Sequence, residues 1–149
     1  MALVSNRIKS GDRANDAAES ASARVRMAGL RPTRQRVSLA GLLFRQGHRH
    51  VTAELLHDEA ARAGIRVSLA TVYNTLHQFT EAGMLNEVVV DSGKAYFDTN
   101  TGDHQHFYVE DDGALIDIPG EHISVAGVPT PPKGMEVERV DVVVRIRRS

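Results

Sequence analysis

Cysteine is absent from this 149-residue chain. That excludes a disulfide framework, thiolate-held zinc or iron–sulfur clusters, and a cysteine nucleophile. No apolar run approaches the ~20 residues that cross a bilayer. The N-terminus has no apolar signal-peptide core, so the expectation is a soluble cytoplasmic protein without a membrane partner. Internal repeats and long low-complexity tracts are lacking too. What remains is 42% hydrophobic and 25% charged residues, enough to build a core and too apolar for a disordered chain. The length suits one typical domain or two very small ones.

Acidic residues are missing from one long stretch. Residues 24–50 hold seven arginines and no Asp or Glu, whereas residues 91–124 hold eight acids and one base, Lys94. The formal net charge of −1 hides this division. A basic segment suits a polyanion, and an acidic, histidine-bearing one suits a cation. Two solvated faces of opposite sign are the plain alternative.

Periodicity orders the chain. Residues 1–23 lack a clear apolar stripe and read as a flexible tail, turning helical near Ala17–Met27. Thr33 is a candidate N-cap for a helix carrying Val37, Ala40, Leu43 and Phe44, ended by Gly47. Thr52 caps the next, with Glu54 in its first turn, then Leu55, Leu56, Glu59 and Ala60 up to Gly64. Ser68 caps a third, in which Leu69, Val72, Leu76 and Phe79 line one face before Gly83. Leu85–Val90 and Ala95–Phe97, joined by Asp91, Ser92 and Gly93, predict a hairpin. Three helices and a hairpin describe a winged helix-turn-helix over residues 24–98, although a small α+β domain without a DNA role has the same pattern. Phe107–Val109, Ala114–Ile118 and Val137–Ile146 predict strands in residues 99–149. The long apolar last strand needs a helix or a second subunit over its edge.

With its apolar face inward, the third helix turns Ala70, Thr71, Tyr73, Asn74, His77 and Gln78 outward. Asn and Gln read adenine edges in a major groove, and Thr or Ala meets thymine methyls. Arg31 and Arg34 are placed to grip phosphates or reach a minor groove. Ser68, at the head of the helix, is grouped with these candidates. A plain amphipathic helix is the alternative, and the arginine block favours DNA.

The segment Asp103-His104-Gln105-His106, if it is a strand, projects both imidazoles to one side. His-x-His alone is weak evidence for a metal, but Asp98, Asp117 and His50, at the start of the second helix, add donors. Imidazoles with carboxylates suit Fe(II), Mn(II) or Zn(II) better than Ca(II) or Mg(II). An ion held by His50 on one domain and by His104 and His106 on the other would fix their relative angle. The same two histidines can supply a haem axial ligand, with Phe107 and Tyr108 against the porphyrin. His48, His57, His77 and His122 have no comparable partners in the sequence.

Three stretches carry a resemblance: Gly29-Leu30-Arg31-Pro32-Thr33-Arg34-Gln35-Arg36, His50-Val51-Thr52-Ala53-Glu54, and Ser68-Leu69-Ala70-Thr71-Val72-Tyr73-Asn74-Thr75-Leu76. They resemble the ferric uptake regulator superfamily, from Met27 to the C-terminus. Tyr96-Phe97-Asp98-Thr99-Asn100, then Asp103-His104-Gln105-His106, with the missing cysteines, are most similar to the iron response regulators of alphaproteobacteria. The resemblance implies an α+β protein: an N-terminal winged helix-turn-helix DNA-binding domain, then a C-terminal α/β dimerisation domain. It implies a homodimer, or a higher oligomer on DNA, at operators of iron-uptake, iron-storage and haem-biosynthesis genes. Tyr73 and Asn74 fall where the family contacts operator DNA, and Arg31 where a basic residue enters the minor groove. The regulatory metal site maps to His50, Asp98, His104, His106 and Asp117, for Mn or Fe with Zn as the alternative, and haem is implied as a ligand that lowers DNA affinity.

This chain departs from the pattern at several points. Asp98 and Asp117 stand where many relatives have Glu. Val109 and Asp112 occupy positions of structural-zinc cysteines, so no four-cysteine zinc is expected. Val140 replaces a second-site histidine, and Gln105 replaces the middle of three adjacent histidines; with no cysteine, any haem response must use histidines. A peroxide-, zinc- or manganese-sensing regulator is the alternative within the family. A small metalloenzyme using His104, His106 and a carboxylate as a facial triad, or a dimer binding only protein, lies outside it.

Overall fold

Hydroxyl side chains open the helices that carry the basic half. In the computed structural model, which describes residues 10–91 and 93–149, Thr33, Thr52 and Ser68 each accept a hydrogen bond from the backbone N–H three residues on. These caps satisfy amides that the first turn leaves unpaired, and they start α2 (Arg34–Leu43), α3 (Ala53–Arg62) and α4 (Leu69–Glu81). Gly64 and Gly83 follow α3 and α4 at φ 74° and 81°, a conformation that costs an L side chain.

A fourth helix, α1 (Ser10–Met27), precedes them. The helix expected near Ala17–Met27 is present and starts earlier, taking in residues 10–16 where a tail is expected. The segment is rich in helix formers, and Ala21 and Val25 are buried where α1 packs on α2. Two buried positions make a stripe too sparse to register as periodicity. The rest of that tail, residues 1–9, lies outside the described residues.

The chain divides into two units. The first runs to Glu87 and takes in Tyr96–Thr101; the second comprises Val88–Ala95 and Gly102–Ser149. In the first unit Leu39, Leu43, Leu56, Leu76 and Phe79 are fully buried among the helices. β1 (His50–Val51) runs antiparallel to β3 (Lys94–Asp98), with His50 opposite Asp98 and Val51 opposite Phe97. β2 (Asn86–Asp91) completes a sheet of order β1-β3-β2. This is a winged helix with its wing strands as expected; Ser92 of the intervening turn lies outside the described residues.

Two expectations are corrected here. His50 sits in a strand and not at a helix start, because a two-residue strand has no period to read. Leu69 is 36% exposed in the first turn of α4, whose buried face is Val72, Thr75, Leu76 and Phe79.

The second unit is built on β4 (His104–Val109), flanked by antiparallel β5 (Ala114–Pro119) and parallel β6 (Val143–Ile146). The Ala114 N–H donates to Asp112 Oδ1 at 3.0 Å and closes the β4–β5 turn. That bond, helped by the Arg148 guanidinium, holds the Asp112 carboxyl below its ordinary value. The helical content of the unit's described residues is one 3₁₀ turn, Gly120–His122. The long final strand expected over Val137–Ile146 is confined to Val143–Ile146. β4 begins at His104, and the Gln105 side-chain oxygen accepts the Val142 N–H at 2.7 Å, so the ladder has no partner for residues 137–141. Phe107 faces Ile116 on one side and Val144 on the other. Ile116 and Val144 remain 49% and 36% exposed, leaving that sheet face apolar. No helix among the described residues is long and apolar enough to cross a membrane.

Where α1 meets α2, a Cβ built on Gly41 lies 4.0 Å from the Ala21 Cβ, ordinary contact, and both residues line an open cleft of about 240 Å³. A methyl therefore fits at this helix-interior position, and Gly41→Ala is expected to stabilise by about 0.5–1 kcal/mol through helix propensity. Thermal unfolding checks it; an alanine that lowers the melting temperature would show that the two helices pack more closely than this.

Candidate metal half-sites and nucleic-acid interface

Strand alternation sends His104, His106 and Tyr108 to one face of β4. The antiparallel register puts His106 directly opposite Asp117 on β5. His104 Nε2 and His106 Nε2 lie 3.6 and 3.5 Å from Asp117 Oδ1, and the two rings meet edge to face at 4.6 Å. A cation bonded at about 2.1 Å separates its donors by about 3.0 Å at right angles and about 3.4 Å in a tetrahedron. Each imidazole nitrogen thus lies within a few tenths of an ångström of the separation from Asp117 that a shared ion would set.

The His104 ring is already oriented for this. Its Nδ1 lies 2.7 Å from the Gly102 carbonyl. A carbonyl only accepts, so Nδ1 carries a proton, and the neutral ring presents its Nε2 lone pair to the site, the outer-sphere arrangement typical of metal-ligating histidines. Gly120 keeps the strand entrance in place: a Cβ there would lie 2.9 Å from the Asp103 carbonyl oxygen. The donor set of two imidazoles and a carboxylate fits Mn(II), Fe(II) or Zn(II).

The first unit holds a second pair of donors. His50 Nε2 lies 3.2 Å from Asp98 Oδ2 across the β1–β3 ladder. Asp98 is fully buried, and its other oxygen accepts the Asn100 N–H at 2.9 Å. The structure thus brings His104, His106 and Asp117 together in one unit and His50 and Asp98 together in the other.

Arg49, which the sequence does not single out, braces the His50–Asp98 pair. Its backbone N–H donates to Thr99 Oγ1 at 2.8 Å, and the Thr99 N–H donates back to the Arg49 carbonyl at 3.0 Å. Its guanidinium forks onto the Glu59 carboxylate of α3 at 2.5 and 3.1 Å and reaches the Leu42 carbonyl of α2 at 3.4 Å. No local pattern marks a pair ten residues apart on different elements.

The outer face of α4 has the expected character. Asn74, His77 and Gln78 are exposed, and Thr71 and Tyr73 half-exposed. Thr71, Asn74 and Gln78 line a cleft of about 290 Å³ with Thr33, Gln35 and Arg36 of the α2 end. Ser68 is committed to the cap, accepting the Thr71 N–H at 3.1 Å and bonding Thr71 Oγ1 at 2.9 Å. Arg36 was missed by sequence reasoning: its guanidinium donates to Gln78 Oε1 at 3.0 and 3.2 Å and to the Arg31 carbonyl at 2.9 Å. It ties the loop that carries Arg31 to the helix that carries Asn74. Arg31 and Arg34 are both exposed. The Tyr73 hydroxyl donates to Glu54 Oε1 at 2.8 Å, and that bond raises the phenol above its ordinary 10.0.

A sequence model described as the ferric uptake regulator family matches residues 27–144. The peroxide-responsive repressor PerR of Staphylococcus aureus is 32% identical over 100 residues, 67% of either chain. The structure of the ferric uptake regulator from Pseudomonas aeruginosa with manganese superposes with a TM-score of 0.65 at 31% identity, over 85% of this chain and 96% of that one. The Vibrio cholerae ferric uptake regulator, at 21% identity, shares the fold with a TM-score of 0.65 over 85% and 98% of the two chains.

Two outcomes follow from the geometry. Glu59→Ala leaves the Arg49 guanidinium, 22% exposed, without its carboxylate, and is expected to cost about 1–2 kcal/mol in urea unfolding; wild-type stability would remove Arg49 as a brace. Glu54→Ala removes the carboxylate that accepts the Tyr73 hydroxyl hydrogen bond, so the phenol's titration, read as tyrosinate absorbance against a Tyr73→Phe blank, is expected to move down toward 10.0. An unmoved titration would show that the Tyr73–Glu54 bond does not form in solution.

Proposed function

The chain belongs to the ferric uptake regulator family, and from that premise we propose that it is an iron-responsive regulator of the iron response regulator type. The family's members are metal-responsive transcription regulators that bind operator DNA as dimers, which leaves no role for the metalloenzyme alternative. In this reading Thr71, Tyr73 and Asn74 read a major groove. Arg31 and Arg34 hold the DNA backbone, and Ser68 fixes the head of α4. A second copy of the chain covers the apolar face of Phe107, Ile116 and Val144.

The carrying observation is the oriented His104 imidazole beside His106 and Asp117. These three donors, joined by His50 and Asp98, would hold a divalent ion, Mn(II) or Fe(II), with Zn(II) as the alternative. Bound there, the ion supplies one coordination centre that favours a single arrangement of the two units. That difference in affinity between arrangements is what couples metal to DNA.

Haem is proposed as the opposing ligand at His104 and His106. The two side chains are only 6% and 7% exposed, so a porphyrin reaches them only when the site opens. The same nitrogens cannot serve the cation and haem at once, and haem therefore works against the metal-bound form. The Staphylococcus aureus relative, named for its response to peroxide, supports peroxide sensing as the second reading.

DNA affinity on a promoter panel, measured without metal, with Mn(II), with Zn(II), with haem and with hydrogen peroxide, tests these readings. Mn(II) is expected to raise affinity about 5–150-fold, the usual range of coupling. Haem is expected to abolish the gain, and the His104→Ala, His106→Ala double variant to lose both responses. Affinity indifferent to every divalent ion would overturn the metal reading. Release by peroxide with no effect of haem would replace the haem reading with the peroxide one.

A further inference from the structure

Arg34 and Arg66 line one cleft of about 470 Å³, together with Gln35, Ser38, Gly64 and Ile65. Both arginines are exposed. Among the described residues neither has a carboxylate within ion-pair distance, whereas Arg49, Arg139, Arg145 and Arg148 are each paired with an acid. Two like charges facing one hollow repel unless an anion sits between them. The cleft lies at the start of α2, a helix with no acidic residue in its first turn to offset the positive end of its dipole. Its position is as informative as its charge. Gln35 lines this cleft and also the cleft of Thr71, Asn74 and Gln78 on the reading face of α4, so the two hollows adjoin at that residue.

We propose that the Arg34–Arg66 cleft seats a phosphodiester of the DNA backbone beside the base pairs read by α4, with Arg66 a contact residue. The proposal rests on the DNA-binding reading above and adds a contact to it. Guanidinium groups bind phosphate oxygens through paired N–H donors, so two of them form a pincer. The Gln35 amide, at the junction, can donate to the same phosphate from the side of the bases. A contact of this kind fixes register and carries no base preference of its own.

Arg66 makes no hydrogen bond or ion pair within the described residues, so Arg66→Ala is expected to fold with an unchanged melting temperature. The probes are a duplex enriched by the wild-type protein from a random pool and a scrambled duplex of the same composition, each titrated across a salt series. Arg66→Ala is expected to weaken both duplexes by the same factor, about tenfold near physiological salt. It is also expected to flatten the dependence of log affinity on log salt by about one per protomer. Arg66→Lys, which keeps the charge, is expected to keep most of the slope. An unchanged slope in Arg66→Ala would overturn the proposal, as would a loss confined to the enriched duplex, which marks a base contact. A wild-type protein that enriches no duplex would overturn the regulatory reading itself, and this contact with it.

Discussion

A histidine facing an aspartate across antiparallel strands is the constraint on which both half-sites depend. It occurs once in each unit, as His50 opposite Asp98 and as His106 opposite Asp117. Side chains alternate along a strand, so a slip of one residue would turn either partner to the other face. Both registers are pinned from outside the pair. In the second unit the Asp112–Ala114 bond sets the turn, and the bare backbone of Gly120 lets Asp103 close up at the strand entrance. In the first unit the reciprocal bonds of Arg49 and Thr99 lock the residues next to His50 and Asp98. Donor geometry is a property of the backbone ladder here, and little is left to side-chain search.

The arginines sort by what faces them. Two in the second unit are matched with acids: Arg148 with Asp112, and Arg145 with Glu110. Near α4 the polar groups instead hold one another in a fixed arrangement. Arg36 spans Gln78 and the Arg31 carbonyl, and Tyr73 is held by Glu54. Residues ordered before DNA arrives lose less freedom when it does. In the proposed DNA-binding reading, such a surface would separate two tasks, with hydrogen-bonded polar side chains for base edges and guanidinium groups without a carboxylate for phosphate.

The parts of this arrangement visible in the sequence are the local ones. Thr33, Thr52 and Ser68 announce their helices because a cap acts within three residues. His104 and His106 announce a shared face because the strand period is two. What stayed hidden depends on partners far along the chain. β1 is two residues long and exists only because β3 returns beside it. The helical reach of α1 depends on two small buried contacts, and the shortness of β6 on where β4 begins. The composition of the donor set was legible; the hydrogen bond from His104 to the Gly102 carbonyl, which makes that donor available, was not. Arg36 and Arg49 look like two more members of a basic run, and Arg66 like an isolated charge, until their neighbours are known.

Arg49 also explains how an event at His50 or Asp98 can reach the reading head. Its chain neighbour is a donor, its backbone is bonded to the neighbour of the other donor, and its guanidinium ends on α3 and α2. A pull on either donor therefore acts on a braced strand pair joined to two helices, and no slack loop absorbs it. Aspartate at 98 and 117 sharpens the same effect. It has one rotatable bond fewer than glutamate, so less side-chain freedom separates the carboxylate from its strand. The shorter acid demands better placement from the backbone, and in return a displacement of an ion held there would be passed to the fold with little loss.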